Sequence, residues 1–318
     1  MRIAIVGAGG VGGLLGGLLA RAGSEVVVVA RGAALAAIRG GGLRVDSPLG
    51  AFSAPVAAAA EDPAALPRAD AVLVAVKSWQ VAELAPRLAP LLGPDAVVVP
   101  LQNGVEAADR LAGALGAARV AGGVVNVLAW LEAPGVVKHL GDAPKVTLGE
   151  RGPLAGRPSA RLEALAAELQ RAGVRAKVAL DVERALWEKF LLVEPWGAVA
   201  TASRAPLGIL RDVPALRAQH QRAMEEVAAL ARARGVALPE DAVARTQAVL
   251  ERIAAEATVS MQRDIAAGRP SELEDQVGAV VRLGRAAAVP VPVHETLHGL
   301  LVAQELAARG DIPPFSRT

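Results

Sequence analysis

Of the 34 basic residues in this 318-residue chain only five are lysine, at positions 77, 138, 145, 177 and 189, and asparagine occurs only at 103 and 126. Where a chain so sparing of a residue type keeps one, the position is worth weighing for chemistry. Lys189 stands in ALWEKFLLVEPWG, where its helical neighbours at three and four residues are Ala185, Leu186, Leu192 and Val193. An ammonium among apolar side chains loses hydration, which lowers its pKa toward the range useful for proton transfer; arginine cannot make that shift. The competing reading is a lysine whose stem covers apolar surface while its head reaches water. Pro195 lacks the N–H that would bond Leu191, so a kink is expected just past Lys189. Asn103 precedes Gly104, and on the dipeptide alone a site residue and a turn residue tolerating the left-handed region are equally good readings.

A second constellation lies at the N-terminus, in MRIAIVGAGGVGGLLGGLLARAGSEVVVVAR. Gly7, Gly9 and Gly12 have the G-x-G-x-x-G spacing between a β-branched run, Ile3 to Val6, and leucines 14, 15, 18 and 19 at helical intervals. Glu25 to Ala30 is a second run of strand length. Strand, tight turn, helix and strand make the opening of a dinucleotide-binding unit, with Gly7, Ala8, Gly9, Gly10, Val11 and Gly12 as the pyrophosphate cradle. The helix N-terminus favours negative charge there. The uncharged stretch from Ile3 to Ala20 also has the length of a membrane span and the flanks of a signal peptide. Its seven glycines argue against both, since each costs a helix interior about 0.8–1 kcal/mol relative to alanine. An NAD site places Asp or Glu at the end of the second strand. Here Ala30 and Arg31 stand instead. A guanidinium matches a 2′-phosphate, so NADPH is the expected cofactor, against the alternative of an ordinary solvated arginine.

One pattern is set aside. His294-Glu295-Thr296-Leu297-His298 fits the zinc-protease motif H-E-x-x-H, but position 304, where an extended pattern needs histidine, is Gln. A surface helix with two histidines is the expectation, with no metal.

The elements that must position these groups follow from periodicity. Strand-like runs at 43–46 and 52–55 flank a Ser47-Pro48-Leu49-Gly50 turn. Further runs cover 71–76, 96–100, 120–131, 136–139, 145–149 and 174–178, with helices to residue 39, between Gln80 and Leu92, and over 161–171. Alternating strand and helix implies a mostly parallel, doubly wound sheet. Residues 7–12, Arg31, Lys77 and Gln102-Asn103-Gly104 all follow strand ends, and ligands of open α/β sheets lie beyond that edge. From Asp181, a candidate N-cap, the pattern turns to helices: 214–234, 239 to about 261, 272–288 and 293–308. Ser271-x-x-Glu274 has capping-box spacing. The expected domains are a Rossmann domain over 1–180 and an all-α domain over 181–318.

Composition supports a two-domain globular chain. Apolar residues are 53% and aromatics 2%, the net charge is +2, and cysteine is absent. Scattered charge argues against nucleic acid or membrane as the main partner. A chain without cysteine has no disulfide framework, thiol nucleophile or thiolate metal site. The cytoplasm is the expected compartment.

With these residues in view, the chain resembles the ketopantoate reductase (2-dehydropantoate 2-reductase) family. The likeness runs through IAIVGAGGVGG, VAVKSWQ, PLQNGV, GVVKHLG, WEKF, PLGILRD, SMQRDIAAGRPSELE and VPVPVHETLHGLL. It implies an NADPH-binding Rossmann domain, a helical domain that also serves a homodimer, and an active-site cleft. By the matched motifs, Lys189 is the proton donor and Glu272 its substrate-orienting partner. Asn103 and Lys77 lie near nicotinamide and substrate, Gln102 near the cofactor, and Ser260 contacts the substrate. The chain departs from the pattern at Val193, Gly197 and Val277, where the family commonly has asparagine. The expected reaction is NADPH-dependent reduction of 2-dehydropantoate to pantoate in coenzyme A biosynthesis. The alternatives are reduction of another small 2-keto acid or imine, and a non-catalytic NADPH-binding regulator.

Overall fold

The computed structural model describes residues 1–313. Strand β1 (Arg2–Val6) leads through the glycine turn into α1 (Gly10–Arg21) and on to β2 (Glu25–Val29). Next come α2 (Gly32–Gly41), β3 (Leu43–Asp46), β4 (Phe52–Ala54), β5 (Ala58–Ala60) and β6 (Ala69–Val74). After them lie α3 (Val81–Leu84), β7 (Leu92–Pro100), α4 (Ala107–Leu115), β8 (Gly122–Ala133), β9 (Val136–Gly149), α5 (Ala160–Arg171) and β10 (Arg175–Val178).

Five strands form a parallel sheet in the order β5-β2-β1-β6-β7. Its central strands are buried on both faces. Ile3 and Ile5 pack with Leu14, Leu15 and Leu19, while Ala4 and Val6 pack with Val81, Leu88 and Leu111. A sheet covered on both sides reads as near-continuous apolar runs, as these strands do.

The remaining strands do not extend that sheet. They form a second, mixed one in the order β10-β9-β3-β4, with β8 antiparallel on β9. The runs at 136–139 and 145–149 are a single strand, β9. Helix α1 is packed between the two sheets. A Cβ on Gly16 would lie 3.0 Å from both Ile5 and Leu43, and one on Gly13 only 2.6 Å from Val137. The glycines that weaken α1 as a free helix are what let two sheets close on it.

From residue 182 the chain is helical: α6 (Val182–Ser203), α7 (Leu207–Asp212), α8 (Pro214–Ala233), α9 (Ala242–Leu250), α10 (Ser260–Ala266), α11 (Val277–Ala286) and α12 (Pro292–Arg309). Asp181 Oδ1 accepts from the Arg184 amide at 2.9 Å, capping α6 as its type suggests. Two helices are shorter than their periodicity predicts. The 239–261 run stops at Leu250, where the Arg211 guanidinium takes the carbonyls of Leu250, Glu251 and Ile253 at 2.9, 3.1 and 3.0 Å. The 272–288 run begins only at Val277. Ser271 does not form the capping box: its hydroxyl donates to the buried Glu305 at 2.6 Å, and residues 272–276 turn instead of coiling.

The chain divides into two compact units, residues 1–102 with 107–185, and residues 103–106 with 186 onward. The short loop after Gln102 therefore belongs with the helices.

Candidate functional site

In the α/β unit, β2, β1, β6 and β7 are parallel neighbours, so their ends make one edge. Pairing continues just past the strands: Gly7 N donates to Val29 O at 3.0 Å, Ala75 N to Val6 O at 2.8 Å and Leu101 N to Val74 O at 2.9 Å. This edge carries Arg31, Gly7, Lys77 and Gln102 in strand order.

The glycine turn has the backbone that its spacing implies. Gly7 has φ +98°, and a Cβ there would lie 2.8 Å from the Val76 amide nitrogen. A Cβ on Gly12 would lie 2.0 Å from Gly7 O, so α1 approaches the turn more closely than any side chain permits. Gly10 meets the β8 backbone, with Ala129 O 2.4 Å from its would-be Cβ. Gly9 differs: nothing lies within 4 Å of a Cβ built on it. It is the N-cap of α1, it supplies no side-chain cap, and the first turn holds no acid. Open space before uncapped amides fits a pyrophosphate.

Arg31 is the N-cap residue of α2, exposed, and has no hydrogen-bond or ion-pair partner among the described residues. Neither α1 nor α2 has an acid in its first turn that would repel a phosphate. Lys77 is half-buried, its ammonium 5.7 Å from the centre of the Trp79 ring. Gln102 is buried and donates from Nε2 to the carbonyls of Val74 and Val76, both at 2.9 Å. It ties the ends of β6 and β7 together, and its Oε1 has no partner among the described residues.

The helical unit brings together Lys189, Asn103 and Glu272, three residues far apart in the chain. Lys189 Nζ donates to Asn103 Oδ1 at 2.9 Å. Asn103 Nδ2 donates to Glu272 Oε2 at 3.4 Å, and Gln276 Nε2 reaches the same oxygen at 3.5 Å. Burial pushes the Lys189 ammonium down to about 8, against the opposing charge of Glu272. The balance follows from the sequence: an apolar helical face removes water, and a single carboxylate restores part of the lost stabilisation.

Local structure explains how the three meet. Gly104, at φ +121°, turns the loop so that a Cβ there would lie 2.8 Å from Asp275 O. Glu106 pairs with Arg282 at 2.8 Å, fastening the same loop to α11. Glu272 sits in the turn that Glu305 holds by accepting from Ser271 N at 3.1 and 3.0 Å. Ser260 begins α10, half-buried, with no hydrogen-bond partner among the described residues. The sequence reading missed Gln276, Ser271 and Glu305. Ser271 offered only the spacing of a capping box, and its contact with Glu305 had no local signal because it joins residues 34 positions apart.

The H-E-x-x-H pattern resolves differently from a surface helix. His294 is fully buried, between Glu194 at 2.8 Å and Glu226 at 2.5 Å. These carboxylates hold its imidazole up at about 9 despite burial. His298 instead pairs with Glu274 at 2.8 Å. The start of α12 packs against α6 and α8, which a two-histidine surface helix did not anticipate.

Two family models match the chain. One, described as ketopantoate reductase PanE/ApbA, covers residues 3–153, and one described as its C-terminal part covers 181–305. The 2-dehydropantoate 2-reductase of Halobacterium salinarum is 34% identical over 304 residues, 95% of this chain and 98% of its own. That of Mesorhizobium japonicum is 31% identical over 322 residues, 95% of this chain and 97% of its own. The crystal structure of a PanE/ApbA family ketopantoate reductase from Ralstonia eutropha matches with a TM-score of 0.88 at 36% identity, covering 97% of this chain and 100% of that one.

Proposed function

The chain belongs to the ketopantoate reductase PanE/ApbA family, and from that premise we propose that it reduces 2-dehydropantoate to pantoate with NADPH. The observation that carries the reading is Lys189, a lysine of lowered pKa held by Asn103 beside Glu272.

The α/β unit has the residues to hold a dinucleotide. The amides of residues 9–12 would hold the pyrophosphate, Arg31 would take the 2′-phosphate, and Lys77 and Gln102 would serve the nicotinamide end; Asn103, which belongs with the helical unit, would be a further cofactor contact. When bound, the reduced nicotinamide supplies hydride to the 2-keto carbon. Negative charge then develops on the carbonyl oxygen, and the Lys189 ammonium stabilises it and gives up one proton to it. Asn103 Oδ1 holds Nζ in place, leaving its other hydrogens for the substrate. The Glu272 carboxylate keeps the lysine charged before the proton moves and orients the substrate, with Ser260 as a further contact. A pKa near 8 suits this task, since the acid is protonated at neutral pH yet releases its proton readily.

In this reading residues 1–180 serve the cofactor, and 181–318 serve the substrate and a homodimer contact in the cytoplasm. No helix among the described residues is long and apolar enough to cross a membrane. The test is NADPH oxidation across a panel of small 2-keto acids. The expected result is 2-dehydropantoate as the best substrate, with NADPH favoured over NADH. Val193 and Gly197 favour a second reading, a reductase of a less polar 2-keto acid, which is correct if a hydroxyl-free compound is clearly preferred.

A further inference from the structure

Lys189, Val193 and Gly197 succeed one another at intervals of four on α6, so they share a helix face. Below the lysine that face offers a substrate no polar atom: Val193 is apolar and Gly197 has no side chain. A keto acid with a hydroxyl at its far end must find a partner elsewhere, because a hydroxyl stripped of water and left unpaired weakens binding.

Gln276 stands opposite the gap. It is only 2% exposed. Its backbone amide donates to Glu272 O at 3.0 Å and its Nε2 faces Glu272 Oε2 at 3.5 Å. A carboxylate can only accept, so this contact sets which end of the amide is nitrogen, and the carbonyl oxygen points the other way. That oxygen accepts no hydrogen bond among the described residues. Unlike Gln102 Oε1 and Gln262 Oε1, it is not sealed in the interior. It lies 3.8 Å from where a Cβ on Gly197 would stand, beside Met261 Cε at 3.1 Å and Val259 Cγ2 at 3.4 Å from the same point. Between Val259 and Met261 in the chain is Ser260, whose hydroxyl also lacks a partner among the described residues. A side-chain carbonyl in want of a donor thus stands against α6 at Gly197, where Met261 and Val259 also close on the glycine, on the helix face that carries Lys189.

We propose that Gln276 is a specificity-determining residue: its side-chain carbonyl accepts the hydrogen bond of the substrate's terminal hydroxyl beside α6. This rests on the 2-keto acid reductase reading above. It selects, within small 2-keto acids, those with a hydroxyl remote from the ketone. Val193 and Gly197 then mark a relocation of the polar contact from α6 to the 272–276 turn.

The experiment is kcat/KM for 2-dehydropantoate and for 2-ketoisovalerate, which lacks the hydroxymethyl group, in wild type, Gln276→Leu and Gly197→Ser. Wild type is expected to prefer 2-dehydropantoate. Gln276→Leu should lower kcat/KM for 2-dehydropantoate by about ten- to a hundredfold, the range of one lost hydrogen bond with a buried group left over. Its loss for 2-ketoisovalerate should be at least tenfold smaller. Gly197→Ser leaves Gln276 in place but sets beside it, once the flexible end of Met261 shifts, a hydroxyl able to donate to Gln276 Oε1. It should reduce the same preference, which keeps the test valid if Gln276→Leu folds poorly. Equal losses for both compounds would make Gln276 a support for Glu272 and overturn the proposal, as would no loss in either variant or no wild-type preference. Wild-type protein that turns over neither compound would overturn the parent reading as well.

Discussion

The two units build their candidate sites from different materials. At the edge of the parallel sheet the working parts are backbone: amides at the start of α1, a left-handed Gly7, and a Gly12 with no room for a Cβ. In the helical unit they are single side chains, Lys189, Asn103 and Glu272, joined across 86 and 169 positions of chain. A backbone site is specified by where side chains are missing, so spacing reveals it. A side-chain site depends on which distant segments meet, and its chemistry rests on one or two groups. Substitutions in the helical unit are therefore expected to strike catalysis, and those at the sheet edge to strike cofactor affinity.

The largest expected effect is that of Lys189→Ala. Removing the proposed proton donor should lower kcat by roughly 10²–10⁴-fold while NADPH still binds. Stopped-flow hydride transfer and a fluorescence titration of NADPH separate the two. Loss of cofactor binding in step with kcat would break the division between the units.

A smaller effect concerns stability. The His294 imidazole is raised from 6.5 to about 9 by Glu194 and Glu226. A raised pKa in the fold means the contribution is fully present below pH 6.5 and is lost as pH rises through about 9. The lost stabilisation is on the order of 3 kcal/mol, because deprotonation leaves Glu194 buried without a cation. Hydrogen exchange should show α6, α8 and α12 loosening across that window while β1, β2 and β6 keep their protection. Uniform loosening of both units would contradict it.

The smallest is at the cofactor. Arg31→Ala should raise the KM for NADPH by about ten- to hundredfold, since a hydrogen bond to a charged group is worth ~1.5–3 kcal/mol, and should leave KM for NADH nearly unchanged. Equal wild-type efficiency with both cofactors would remove Arg31 from the account of specificity.

The same contrast explains what could be read in advance. The βαβ opening, the shared strand edge and the change to helices at Asp181 follow from local periodicity. Lys189 was legible because its helical neighbours are apolar. The second sheet was not, since β3, β9 and β10 pair across long separations and their short runs look like continuations of the first. The 272–276 turn was hidden for a related reason. Its residues have helical periodicity and a capping-box spacing, but the tertiary bond from Ser271 to Glu305 overrides both. With the turn goes Gln276, a residue that the sequence offered only as one more helical position.

The most direct test of Lys189 as the acid of a 2-keto acid reductase is the pH dependence of kcat for 2-dehydropantoate under NADPH saturation. With Lys189 as the acid the ammonium is the active form, and burial lowers its pKa to about 8, so the rate should be level at neutral pH and fall as pH rises through that value. Lys189→Ala should show a low rate without that limb. A wild-type rate that stays level to pH 10, where an unperturbed lysine would still be protonated, would contradict a lysine acid with its pKa lowered by burial.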